Sequence, residues 1–74
     1  MGRKFIIRDE KNETLAVITF FFLLEIKNFV GMIIFPNLKR YEISFYSENN
    51  NMDEIVKGLI KKIGIEKYKD YIEI

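Results

Sequence analysis

The chain has 74 residues, 49% of them apolar, with 12 Lys and Arg against 11 Asp and Glu and a net charge of +1. That length makes one domain, and the near-neutral charge gives no general pull toward nucleic acid or an anionic membrane. Cysteine and histidine are both absent, which excludes disulfides, thiolate metal sites and the commonest zinc ligand.

A chain this short buries only about 60% of the surface its unfolded form exposes, so its core is thin. Small domains compensate with disulfides, a structural metal or oligomerisation. Here self-association is the means that remains. The lack of Gln and Cys beside abundant Lys and Glu leans toward a thermophile, and the six asparagines lean the other way. The absence of cysteine suits a cytoplasmic protein. Met1 to Lys4 are basic, but the charged segment RDEKNE follows where a signal peptide needs an apolar stretch. The run from Leu15 to Leu24 is ten residues with Thr19 inside it, against the roughly 20 that a membrane helix needs.

In chain order, residues 3–9 alternate as a strand, with Phe5 and Ile7 on one side and Lys4, Ile6 and Arg8 on the other. The polar segment DEKNE, residues 9–13, makes a hairpin loop. From Thr14 the chain is rich in β-branched and aromatic residues, which predicts a second strand to about Leu24 or Ile26. EIKN, residues 25–28, is the next turn, and FVGMIIF, residues 29–35, a third strand. Pro36-Asn37 forms a turn with proline fixing φ. Residues 40–47 alternate as a fourth strand, with Tyr41, Ile43 and Phe45 opposite Glu42, Ser44 and Tyr46.

Residues 48–51 break that pattern, and a helix is expected from Met52 to Ile63. Met52, Ile55, Val56, Leu59, Ile60 and Ile63 form one apolar stripe. Asn51 is a preferred N-cap and Glu54 completes a capping-box-like pair. Asp53 and Glu54 complement the positive end of the helix dipole, Lys61 and Lys62 the negative end, and Gly64 is a C′ residue. Gly58 sits inside this helix, read either as a close approach to a strand or as a neutral position. The tail, residues 65–74, reads as a turn followed by a short strand from about Tyr71 to Ile74. The expected fold is α+β: a small antiparallel sheet of four strands, with the tail as a candidate fifth, and one amphipathic helix on one face.

The second strand poses a covering problem. Its even positions, Ala16 to Ile26, are all apolar, and its odd positions, Leu15 to Leu23, are apolar except Thr19. Twelve residues of helix span about 18 Å, whereas eleven of strand span about 36 Å. One helix therefore leaves apolar surface over. Parity separates Ile18, Phe20, Phe22 and Leu24, set here against the helix stripe of Ile55, Leu59 and Ile63, from Val17, Phe21 and Leu23, which are left over; because both sides are apolar the two faces are interchangeable in the sequence. Phe29, Ile33 and Phe35 of the third strand are grouped with that leftover set as a partner interface. The remainder is covered either by a strongly bent sheet closing a barrel-like core with Tyr68 and Tyr71, or by a second molecule.

Chemistry is sparse. No histidine is present for acid–base work, the hydroxyls of Thr14, Thr19, Ser44 and Ser47 have no activating base nearby in sequence, and the four glycines form no phosphate loop. Asp9, Glu10, Asn12 and Glu13 gather oxygen donors, but without the length or glycine of a calcium loop they read as a solvated turn. Lys57, Lys61, Lys62, Lys67 and Lys69 cluster near Tyr68, and Lys39, Arg40 and Tyr46 lie on the fourth strand. Basic residues beside aromatics suit single-stranded nucleic acid. The interleaved Asp53, Glu66, Asp70 and Glu73 dilute that field. The sequence points to a non-catalytic protein-interaction or regulatory module that self-associates, with no cofactor or metal. Weak nucleic-acid binding at the lysine-rich helix end is the alternative.

Overall fold

Turns at residues 9–13, 24–27 and 35–39 divide the first two-thirds of the chain into four strands: β1 (Arg3–Arg8), β2 (Thr14–Leu23), β3 (Asn28–Ile34) and β4 (Arg40–Phe45). A helix, α1 (Met52–Ile63), and a fifth strand, β5 (Asp70–Glu73), complete the computed structural model, which describes residues 2–48 and 51–74. The break expected at residues 48–51 falls partly outside the described residues, as does Met1 of the basic start.

Each turn has a local cause. The Asp9 carboxylate accepts hydrogen bonds from the backbone N–H of Lys11 at 2.8 Å and of Glu13 at 3.0 Å, and Asn12 takes the left-handed conformation at φ 62°. Asparagine tolerates that conformation better than most residues. Pro36 opens the third turn. There the Leu38 N–H donates to the Phe35 carbonyl at 2.9 Å and the Asn37 side chain accepts from the Lys39 N–H at 3.1 Å. At α1 the Asn51 side chain accepts from the N–H groups of Asp53 and Glu54 at 3.0 and 3.4 Å, as an N-cap does. Gly64, at φ 89°, ends the helix in the left-handed conformation, and its N–H reaches the carbonyls of Ile60 and Lys61.

The sheet is antiparallel throughout, in the order β4-β3-β2-β1-β5. The chain leaves β4 at one edge and returns as β5 at the other, so these two strands run parallel and need a crossover between them. α1 lies in that crossover and covers one face. The core between them consists of Phe5, Ile7, Ala16, Ile18, Phe20 and Ile33 from the sheet with Ile55, Val56, Leu59 and Ile60 from the helix. Tyr68 and Tyr71 pack on this same side, with Tyr71 edge-on to Phe5 at 5.8 Å. The sheet is therefore open and not the closed barrel that was one expectation: β4 and β5 are its edges, and neither tyrosine lines the second face.

Phe20 is the hub. Its fully buried ring stacks on Phe5 at 5.8 Å and meets Phe29 and Phe45 edge-on at 5.8 and 5.7 Å. Phe20 reaches Phe45 across β3 because Gly31 stands opposite it there. A Cβ at Gly31 would lie 2.0 Å from the Thr19 carbonyl oxygen and 2.7 Å from the Phe20 Cα. The helix does not reach the far end of β2. Phe22 is 47% and Leu24 73% exposed, which corrects the expectation that both meet the helix stripe. Ile18 and Phe20 do lie in that core.

Two glycine substitutions separate crowding from open space. Gly31→Ala forces β2 and β3 apart and should cost about 1–3 kcal/mol, read as a lower urea midpoint in chemical denaturation. Gly58 has nothing within 4 Å of an added Cβ, so no strand approaches it. Gly58→Ala should stabilise by about 0.5–1 kcal/mol through the helix backbone alone, raising the melting temperature by roughly 2–8 °C.

Candidate functional site: the open face of the sheet

In an antiparallel sheet, directly paired residues point to the same side. The register therefore sorts every strand. Phe5 pairs with Ile18, Ile18 with Ile33 and Ile33 with Tyr41, which defines the helix face. On the opposite face Ile72, Ile6, Val17, Ile34 and Arg40 stand in one row across β5-β1-β2-β3-β4. Lys4, Thr19, Met32 and Glu42 form the next row across β1-β2-β3-β4, and Phe21, Val30 and Ser44 the one after it. Leu23, paired with Asn28, closes the set at the end of the hairpin.

No described element packs on this face. Phe21 is 40% and Ile72 38% exposed. Ile6, Val17, Thr19, Leu23, Val30, Met32 and Ile34 are half-buried, shaded by one another and not by a covering layer. An apolar surface this continuous is unusual on a protein that meets only water.

Of the six residues expected at a partner interface, Val17, Phe21 and Leu23 are on the open face. Phe29, Ile33 and Phe35 are not: Ile33 is buried in the core at 2% exposure, and Phe29 and Phe35 pack against the core from the helix side. The physical reason is hairpin parity. Leu23 pairs with Asn28 and Phe22 with Phe29 around the turn at residues 24–27, so odd residues of β3 share a face with even residues of β2. A four-residue turn at 25–28 would pair Leu24 with Phe29 and give the same parity, so the signal was in the loop length. In their place the open face holds Val30, Met32 and Ile34, with Ile6 and Ile72 from strands whose own alternation is too short to assign them.

The lysine-rich region is differently arranged. Lys57 pairs with Asp53 at 3.0 Å one helical turn away, and Lys69 Nζ is hydrogen-bonded to the Asn12 side chain. The hydrogen bond to Asp53 and its charge raise the Lys57 pKa. Tyr68 is half-buried against the core, while Lys61, Lys62 and Lys67 are exposed. In the loop at residues 9–13 the Asp9 carboxylate is occupied by backbone N–H groups, as a structural turn requires. Among the described residues no three Asp or Glu side chains gather to hold a metal ion. A groove of about 470 Å³ runs between α1 and β4 on the helix side, floored by Ile33, Phe35, Ile43 and Leu59 with Lys62 and Ile63 at its wall.

Compared with protein-family models, with curated proteins and with solved structures, the chain matches none. No described helix is long and apolar enough to cross a membrane.

The edge of the open face is set by β5, which two arginines of β1 clamp in place. Arg8 Nε and Nη2 donate to the two Asp70 oxygens at 2.9 and 2.7 Å, and Arg3 holds Glu73 in the same forked manner. Such paired bonds fix geometry as well as attract. The Arg8 hydrogen bonds hold the Asp70 carboxyl below its usual range against an opposing loss of hydration, and Arg3 does the same for Glu73. Both carboxyls have folded pKa values below their unfolded ones. Their contribution to stability is therefore fully present above the unfolded values, near pH 4, and is lost as pH falls through the folded values. Thermal melts on a descending pH series should show this loss in the native chain. The Asp70→Asn, Glu73→Gln double variant should start less stable at neutral pH and lose less on acidification.

Proposed function

We propose that this chain is a non-catalytic protein-interaction or regulatory module that self-associates through the open face of its sheet. One observation carries the reading: Ile6, Val17, Phe21, Val30, Met32, Ile34 and Ile72 form one apolar surface with no layer of the described chain upon it. A chain of 74 residues without cysteine has few other means of enlarging its core. Burial against a second copy gives both faces of β2 an apolar surrounding, which its sequence suits. We further propose a cytoplasmic protein, on the absence of cysteine, with a composition that leans toward a thermophile through its Lys and Glu content. Nucleic-acid binding at Lys57, Lys61, Lys62, Lys67, Tyr68 and Lys69 is the weaker reading, since Lys57 and Lys69 are already held within the chain.

Sedimentation equilibrium across the micromolar range tests the proposal. The native chain should pass from monomer to dimer with rising concentration. Phe21→Ser should shift that transition to higher concentration while leaving the far-ultraviolet circular dichroism of the monomer unchanged. A native chain that stays monomeric throughout, or a Phe21→Ser variant that unfolds, would overturn it.

A further inference from the structure

The open face carries a charge pattern that can fix how two copies meet. Its middle row runs Lys4, Thr19, Met32, Glu42, with a cation on β1, an anion on β4 and two uncharged residues between them. Lys4 and Glu42 are exposed, and among the described residues neither joins an ion pair, whereas Arg3, Arg8 and Lys57 each do. We infer that the occupant of this face is a second copy of the chain, stacked face to face about a two-fold axis that runs along the strands between β2 and β3. Lys4 of each subunit then faces Glu42 of the partner subunit. This rests on the self-association proposed above and specifies its geometry.

Symmetry makes the argument. Two identical sheets that stack face to face are related by a two-fold axis lying in the plane between them. An axis along the strands carries β1 over β4 and β2 over β3. Both ends of the charged row then meet opposite charge, Val17 lies over Ile34 of the partner subunit, Phe21 lies over Val30 of the partner subunit, and Arg40, at the β4 end of the neighbouring row, lies over Ile6 of the partner subunit. An axis across the strands through the same row sets Lys4 over Lys4 of the partner subunit and Glu42 over Glu42 of the partner subunit, and juxtaposed like charges are disfavoured; set between that row and the next, it pairs Arg40 with Glu42 of the partner subunit at the β4 edge alone and leaves Lys4 over Ile6 of the partner subunit at the other edge. Stacked sheets lie about 10 Å apart and cross at about 30°. That is a gap a lysine and a glutamate reaching from opposite sides close at the rim.

The area is sufficient. Four strands at about 4.8 Å spacing and about seven residues of each give a footprint of roughly 450 Å² per subunit in projection. Doubled and roughened by side chains, that approaches the roughly 1,200 Å² at which specific interfaces begin. In such an interface the apolar centre supplies affinity and the rim charges set orientation.

Charge reversal tests the geometry. Sedimentation equilibrium at low salt would compare the native chain with Lys4→Glu, Glu42→Lys and the Lys4→Glu, Glu42→Lys double variant, with circular dichroism as the check on folding. Each single reversal places two like-charge pairs at the rim and should weaken dimerisation about tenfold, and the double variant should return to within about threefold of the native value. Single variants that dimerise as the native chain does, or a double variant as weak as the singles, would overturn the geometry. So would rescue of Glu42→Lys by Arg40→Glu, which signals an axis across the strands. In those cases self-association stands as long as Phe21→Ser still dissociates the native dimer. A native chain that is monomeric at every concentration removes both.

Discussion

The constraint on which the structure depends is that one helix has to serve a strand that is apolar on both sides. β2 occupies the centre of the sheet, paired with β1 and β3. Its even residues Ala16, Ile18 and Phe20 are fully buried beneath α1, and its odd residues from Val17 to Leu23 have no layer of the described chain above them. Twelve helical residues reach about 18 Å, so the choice of which face to cover also decides what is left open. The core then organises around Phe20, where four aromatic rings converge and Gly31 leaves room for the contact across β3. A larger residue at 31 conflicts with backbone, not merely with a side chain, so the position is tied to the spacing of β2 and β3.

The crossover has a second consequence. Because the chain must leave the β4 edge and arrive beside β1, the far end of the sequence becomes a structural edge strand. β5 is only four residues long and is half-exposed, and strands that short are weak on their own. The forked pairs from Arg3 and Arg8, with backbone bonds from the Lys69 N–H to the Arg8 carbonyl and from the Ile74 N–H to the Lys4 carbonyl, hold it in register. Ile72 is thereby brought beside Ile6. The open face is wider by one strand because of two ion pairs, of which Arg8–Asp70 shares that face and Arg3–Glu73 stands on the helix side.

Most of the fold was legible in the sequence. The four hairpin strands, the helix with its Asn51 and Gly64 caps, and the short final strand all follow from local signals, and their ends differ from expectation by only a few residues. The division of β2 into an even and an odd face was also legible, but not which of them lies inward, because both are apolar. What failed was the transfer of that division to β3, where Phe29, Ile33 and Phe35 were grouped with the outer set. Alternation within one strand says which residues share a face. Only the parity of the connecting loop says how two strands share it. The contribution of Ile6 and Ile72 was beyond reach for a different reason: it depends on β5 pairing with β1, some 60 residues apart in the chain, and no local pattern encodes that pairing.

The edges of the sheet bear on why the proposed association falls to the face. An exposed edge strand presents unpaired backbone groups that invite another strand, and proteins blunt such edges with charge and short length. β5 is short, with Asp70 and Glu73 at its ends and both engaged by arginine. β4 alternates charged Arg40 and Glu42 on its outer side. Both edges therefore carry the features that discourage strand addition. The centre of the open face, by contrast, carries Val17, Thr19, Phe21, Val30, Met32 and Ile34, which include no charge at all, and its nearest charges, Lys4 on β1 and Arg40 and Glu42 on β4, stand one strand to either side. Apolar centre and charged rim is the arrangement of a specific interface. Concentrating the apolar surface at the middle of the sheet, away from its reactive edges, favours a closed pair over open-ended strand stacking, because a two-fold contact uses the same face once on each subunit and leaves nothing for a third.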